Sequence, residues 1–148
     1  MKIYLDNCAI QRPLDSKNQL RILLEAEAVL GIVELCRTEE AGLELVTSDL
    51  LRFEIGKCQN IVRREYAMDV LQTANVNVSL TAVIRQRAYE LESFGIKPLD
   101  GLHIASAEAA GADYFCTVDD GILSKAKSRT LSTVKIVSPV ELITELNL

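Results

Sequence analysis

Two kinds of hydrophobic pattern alternate along this chain. One is a short apolar run that halts at an acid or a turn. The other is a longer stretch in which apolar side chains return every three or four residues. Short unbroken runs mark buried strands, and the 3.6 period marks helices. The runs Lys2 to Leu5, Leu43 to Thr47, Val76 to Ser79, Tyr114 to Val118 and Thr133 to Val137 predict short extended segments. Between them the pattern predicts helices with readable ends. Ser16 and Gln19 form a capping box for a long helix reaching about Arg37, with Leu20, Leu23, Leu24, Leu30, Val33 and Cys36 on its buried face. Ser48 can cap a helix from Asp49 to about Cys58, a further one runs from about Ile61 to Gln72, and Thr81 starts one that ends at Gly95. Asp100 opens the next as its N-cap: Pro98 holds Lys97 out of helical geometry, and Leu99 and Ile104 are spaced as a hydrophobic staple. Gly111 closes that helix. Gly121 to Lys127 forms a short helix, and Pro139 sits in the first turn of the last one, where its missing donor is harmless. Asn7 to Asp15, containing Arg12-Pro13, reads as a loop, and Thr38 to Gly42 as a charged turn.

Strands alternating with helices imply parallel pairing through right-handed crossovers. The expected architecture is an α/β fold, a three-layer α/β/α sandwich with a central sheet of four or five short parallel strands. No repeat, low-complexity tract or linker interrupts the 148 residues, so a single domain spanning 1–148 is expected. In such sheets ligands bind beyond the carboxyl ends of strands, near a switch in strand order. Asp6 and Asp119 each stand at the end of a predicted strand.

Composition narrows the chemistry. A hydrophobic content of 49% with 25% charged residues excludes a disordered chain. The four cysteines (Cys8, Cys36, Cys58, Cys116) form no CxxC pair and there is one histidine, which argues against zinc and for a reduced, cytoplasmic setting. Asp6 interrupts the N-terminus too early for a signal peptide, and no apolar run approaches the ~20 residues of a bilayer span, so no membrane association is expected. A net charge of −5 argues against a general polyanion binder, but the cations are clustered. Lys125, Lys127, Arg129 and Lys135 lie between Gly121 and Val140 without an acid, and Arg52, Lys57, Arg63 and Arg64 form a second group. Arg12, Arg63, Arg64, Lys125 and Lys127 are the candidate nucleic-acid contacts; solvated helix faces account for such groups about as well.

The acids carry the functional signal. Asp100, Asp119 and Asp120 each have an adequate structural explanation as caps or turn residues, and Asp6 can simply end a strand. Glu54 has none. It shares a helical stripe with Leu50, Leu51, Ile55 and Cys58, where a carboxylate is costly unless paired or bound to a cation, and no basic residue on that helix face is an obvious partner. The alternative to separate explanations is one site. Carboxylates gathered at the mouth of a sheet repel one another unless a divalent cation neutralises them, and an all-oxygen set favours magnesium or manganese. Such a site orients water and phosphate oxygens for phosphodiester hydrolysis. Between the adjacent acids, strand alternation assigns Asp119 to the metal and Asp120 to the cap of the following helix.

At these residues the chain resembles the PIN-domain family, which includes the VapC-type toxin ribonucleases. IYLD at the end of the first strand resembles the family's opening Asp, and the Glu of SDLLRFEIGK resembles its helical acid. The segment PLDGLHIASAEAAGADYFCTVDDGIL is the specific part: an Asp at a helix start, an alanine-rich helix, Gly-Ala-Asp, a strand, then Thr-x-Asp. The resemblance implies a PIN-like fold and a metal-dependent endoribonuclease with Asp6, Glu54, Asp100 and Asp119 as catalytic and metal-binding acids and Mg2+ or Mn2+ as cofactor. It puts the Thr117 hydroxyl near the water that the metal holds. It implies an RNA substrate, an antitoxin partner that covers the active site, and homodimer formation, as in many members. Where members often carry Thr or Ser followed by Asn or Ser after the first Asp, this chain has Asn7 and Cys8, so an orienting hydroxyl is either missing or replaced by the Asn7 amide.

Two other functions compete. A non-catalytic PIN-like module that binds RNA or protein would have no need of Glu54 in an apolar stripe. A phosphatase with an aspartyl nucleophile would want a second acid two residues after the first, where Cys8 stands. His103 reads as a core or helix-surface residue more readily than as a base, and Cys8 and Cys116 as small buried apolar residues.

Overall fold

The computed structural model describes residues 1–38 and 41–148; Glu39 and Glu40, within the predicted charged turn, lie outside the described residues. Five parallel strands, β1 (Lys2–Leu5), β2 (Glu44–Ser48), β3 (Val76–Val78), β4 (Tyr114–Cys116) and β5 (Lys135–Val137), form one sheet in the order β3-β2-β1-β4-β5. Helices flank the sheet: α1 (Asn7–Gln11), α2 (Leu20–Arg37), α3 (Asp49–Gly56), α4 (Ile61–Leu71), α5 (Ala82–Glu92), α6 (Pro98–Ala109), α7 (Asp120–Ser128) and α8 (Pro139–Glu145), with a 3-10 turn at Arg12–Leu14. The expected α/β sandwich with a parallel sheet is the observed one.

Strands covered on both faces read as continuous apolar runs. Ile3, Tyr4 and Leu5 are wholly buried, and Phe115 and Cys116 of β4 lie beside them in register, Tyr4 opposite Phe115 and Leu5 opposite Cys116. The chain leaves β1 toward β2 on one side and later returns to place β4 on the other. The carboxyl ends of β1 and β4 therefore flank the switch in strand order, where a crevice forms. The Asp6 N–H donates to the Cys116 carbonyl at 2.9 Å, which locks the two ends together.

Four local expectations are revised. Asn7 to Asp15 is not a loop but the five-residue α1 followed by the 3-10 turn. One turn of helix is too short to show a period, and Asp6 starts it by accepting the Asn7 N–H. The long helix begins at Leu20, and its N-cap Gln19 makes no side-chain cap bond, so Ser16 plays no part in it. Its buried face is Glu25, Ala26, Val29, Ile32, Val33 and Cys36, whereas Leu20, Leu23, Leu24 and Leu30 are exposed. With apolar side chains on almost every side of α2, periodicity could not choose the face. Glu25 is tolerated inside because Arg12 and Arg21 reach it at 3.0 and 3.3 Å. In α6 the helix starts one residue after Lys97, with Pro98 at the first position, so Asp100 lies within the first turn and is not the cap. In α7 the roles of the adjacent acids differ from the sequence assignment. Asp119 is the N-cap, accepting the Ile122 N–H at 3.0 Å, and Asp120 is instead held by Arg21 at 2.7 Å. Strand alternation ceases at Cys116 and so could not sort them.

Candidate metal centre

Each acid reaches the crevice for a local reason. Asp6 is the residue after β1 and is fixed on three sides: its Oδ1 accepts the Asn7 N–H at 2.9 Å, and its Oδ2 accepts the Thr117 hydroxyl at 2.8 Å and the Cys8 thiol at 3.3 Å. Glu54 comes from the second turn of α3, which Ser48 caps by accepting the Leu51 N–H. Asp100 sits in the first turn of α6, where the helix dipole favours a carboxylate and capping does not consume it. Asp119 caps α7 with one oxygen. All four line one cleft of about 320 Å3 together with Asn7, Cys8, Gln11, Arg12, Asp15, Arg63 and Val118.

The electrostatics show a deficit of positive charge. Burial raises the Asp6 carboxyl above its ordinary value, and the hydrogen bonds from Thr117 and Cys8 offset this only in part. Asp100 is raised as well, by burial and then by the charges of Asp6 and Asp119. Among the described residues no Lys or Arg forms an ion pair with Asp6, Asp100 or Asp119. Glu54 differs: burial pushes it up, but hydrogen bonds from His103 and Asn7 hold it below the usual carboxylate range. Its partner is His103, whose Nε2 lies 3.1 Å from Glu54 Oε2. That partner is on another helix, and no spacing along α3 could reveal it.

One oxygen each of Asp6 and Glu54 and a ring nitrogen of His103 lie within 4.8 Å of one another, a group that can hold a metal ion. His103 is already engaged at both nitrogens, by Glu54 and by the Tyr4 hydroxyl. The free donors are therefore carboxylate oxygens, and two of the carboxyls are destabilised in their charged form. An all-oxygen set short of positive charge fits a hard divalent cation such as Mg2+ or Mn2+.

The remaining candidates separate by position. Thr117 is wholly buried; its hydroxyl donates to Asp6 and accepts the Asp119 N–H at 3.1 Å, so it braces two acids at once. Asn7 lines the cleft, its side-chain oxygen accepting from Gln11. Cys8 places its sulfur 3.3 Å from both Asp6 and the Thr117 hydroxyl, with its thiol pushed up to about 12 by burial and the Asp6 charge. A protonated thiol thus braces Asp6 where the sequence offered the Asn7 amide or no replacement for the hydroxyl. Arg12 and Arg63 line the cleft, joined through Asp15 at 3.0 and 2.9 Å. Lys125 borders a smaller hollow shared with Asp100 and Asp119. Arg64 donates to the Cys58 carbonyl, and Lys127 faces Glu141 in a separate groove.

The fold this site sits on is PIN-like. The structure matches that of VapBC2 from Rickettsia felis, bound to a DNA fragment from its promoter, with a TM-score of 0.55 and 14% identity over 93% of this chain and 98% of that one. It matches PAE2754 from Pyrobaculum aerophilum with a TM-score of 0.56 and 14% identity, over 99% of this chain and 90% of that one. No family model and no curated protein matches the sequence. No helix among the described residues is long and apolar enough to cross a membrane.

Proposed function

We propose that this chain is an endoribonuclease that depends on Mg2+ or Mn2+, with Asp6, Glu54, Asp100 and Asp119 as its catalytic and metal-binding acids. We further propose that it is the toxin of a toxin–antitoxin pair. The observation that carries the reading is the convergence of four carboxylates from four separate elements on one cleft at the sheet's switch point, three of them without a Lys or Arg ion pair among the described residues. A divalent ion there supplies charge neutralisation and water activation for phosphodiester hydrolysis. The chain's own residues set its geometry. Thr117, Cys8 and the Asn7 N–H immobilise Asp6, and the Ile122 N–H immobilises Asp119, so neither carboxylate must reorganise when the substrate arrives. Arg12 and Arg63, the basic residues on the cleft, would meet the phosphate backbone by exchanging their contacts with Asp15 for it. The antitoxin partner rests on the resemblance to VapC-type toxins and on the likeness to the VapBC2 structure.

Purified protein incubated with single-stranded RNA tests this. Cleavage should require Mg2+ or Mn2+, stop on chelation, and be lost in Asp6→Asn. RNA binding without cleavage under any divalent ion would make the chain a non-catalytic PIN-like module instead.

A further inference from the structure

Behind the cleft runs a second polar system that the hydrolysis scheme leaves unused. The Leu51 N–H donates to Ser48 Oγ at 3.0 Å, and Ser48 Oγ lies 2.7 Å from the Tyr4 hydroxyl. The same hydroxyl lies 2.7 Å from His103 Nδ1, and His103 Nε2 lies 3.1 Å from Glu54 Oε2. Tyr4, Ser48 and His103 are at most 1% exposed. Burying three polar side chains between β1, β2 and α6 is costly unless every donor finds an acceptor.

The proton positions follow from the far end of the chain. An ionised carboxylate can only accept, so His103 Nε2 must carry a proton. In a neutral ring Nδ1 is then the acceptor, and the Tyr4 hydroxyl must donate to it. Tyr4 has then spent its one proton, so Ser48 donates to Tyr4. Every group is satisfied once in this order. The opposite tautomer would set two lone pairs against each other at the 3.1 Å contact with Glu54.

We propose that His103, protonated at Nε2 toward Glu54 and held in place at Nδ1 by Tyr4 and Ser48, is the positioning residue of Glu54: it anchors one carboxylate oxygen and leaves the other to the cation in the cleft. This rests on the metal reading given above. A network serving only the core could end on any buried acceptor, whereas this one ends on a cleft acid that, unlike Asp6 and Asp119, has no bond from its own neighbouring backbone.

The chain contains a single histidine, so protein labelled with 15N-histidine reports one ring and no other. In metal-free wild type at neutral pH, Nε2 should be protonated and Nδ1 bare. Tyr4→Phe removes the hydroxyl and nothing else; it should keep the Nε2 proton, shift the Nδ1 resonance as its hydrogen bond is lost, and weaken Mn2+ binding. His103→Leu should weaken Mn2+ binding about 10–100-fold, the usual scale for losing such a partner. His103→Gln, whose amide can still donate toward Glu54, should recover most of that loss. A wild-type ring protonated at Nδ1, or at both nitrogens, overturns the proposal. So does unchanged Mn2+ affinity in both Tyr4→Phe and His103→Leu. A wild type with the Nε2–H ring but no Mn2+ binding would instead sink the metal reading on which the role depends.

Discussion

At the scale of single residues, the two adjacent acids after β4 show how a side chain can hold two roles. Asp119 caps α7 with Oδ1 and lines the cleft, while Asp120 points to Arg21 on α2. An Asn at 119 keeps a side-chain oxygen for the Ile122 N–H but carries no charge. Asp119→Asn should therefore cut metal-dependent cleavage by about 100-fold or more, the scale of losing an electrostatic contact to the reacting charge. Its melting temperature should change little. Asp120→Asn breaks only an exposed ion pair and should leave cleavage intact. The reverse pattern would show that Asp119 is a cap and nothing else. Asp6 yields a prediction in pH. Its folded-state value is raised, so its favourable contribution is complete below the unfolded value near 4 and is lost as pH climbs through the folded one. Metal-free Asp6→Asn should accordingly melt a few degrees above wild type at pH 7.5, and the gain should vanish by about pH 4. A gain that persists unchanged at low pH would mean that charge is not its source.

At the scale of elements, α6 does most to assemble the site, because it carries both Asp100 and His103. Its approach to α5 depends on Gly101: a Cβ there would sit 3.1 Å from the Ala88 carbonyl oxygen and 3.5 Å from its Cα. Those are backbone atoms in the middle of a helix and cannot rotate away. Gly101→Ala should destabilise the fold by roughly 1–3 kcal/mol as α6 is pushed off α5, and Mn2+ affinity should fall with it. Thermal melts and a metal titration of the same sample check both; an unchanged melting temperature would show that the helix pair has slack. Element ends were legible where a local chemical rule acts alone. Ser48, Thr81 and Gly111 were read correctly, the last with φ of +68°. They failed where two rules competed. Pro98 at the first position displaced Asp100 from the cap, and the all-round apolar surface of α2 hid which stripe faces inward.

At the scale of the whole molecule, parallel pairing and the acids at the ends of β1 and β4 could be argued from alternation of strands and helices, because a crossover connection leaves little choice, whereas the order of strands in the sheet could not. The partners across the crevice could not. Glu54 was legible as a misfit in an apolar stripe, but His103 reaches it from 49 residues away, and the Tyr4 and Ser48 links come from two further strands. Contacts of that range follow from tertiary packing and leave no trace in local spacing. Overall charge also misleads here: much of the net −5 belongs to the cleft, where Asp6, Asp15, Glu54, Asp100 and Asp119 face Arg12 and Arg63.

The central claim is that the cleft acids jointly hold one kind of ligand, a divalent cation, through carboxylate oxygens. Calorimetric titration of Mn2+ into metal-free protein at neutral pH tests it most directly, run on wild type, Asp6→Asn and Glu54→Gln. Wild type should bind saturably, and each variant at least about 10-fold more weakly while remaining folded. Equal affinity in all three, or no binding by folded wild type, would contradict the account.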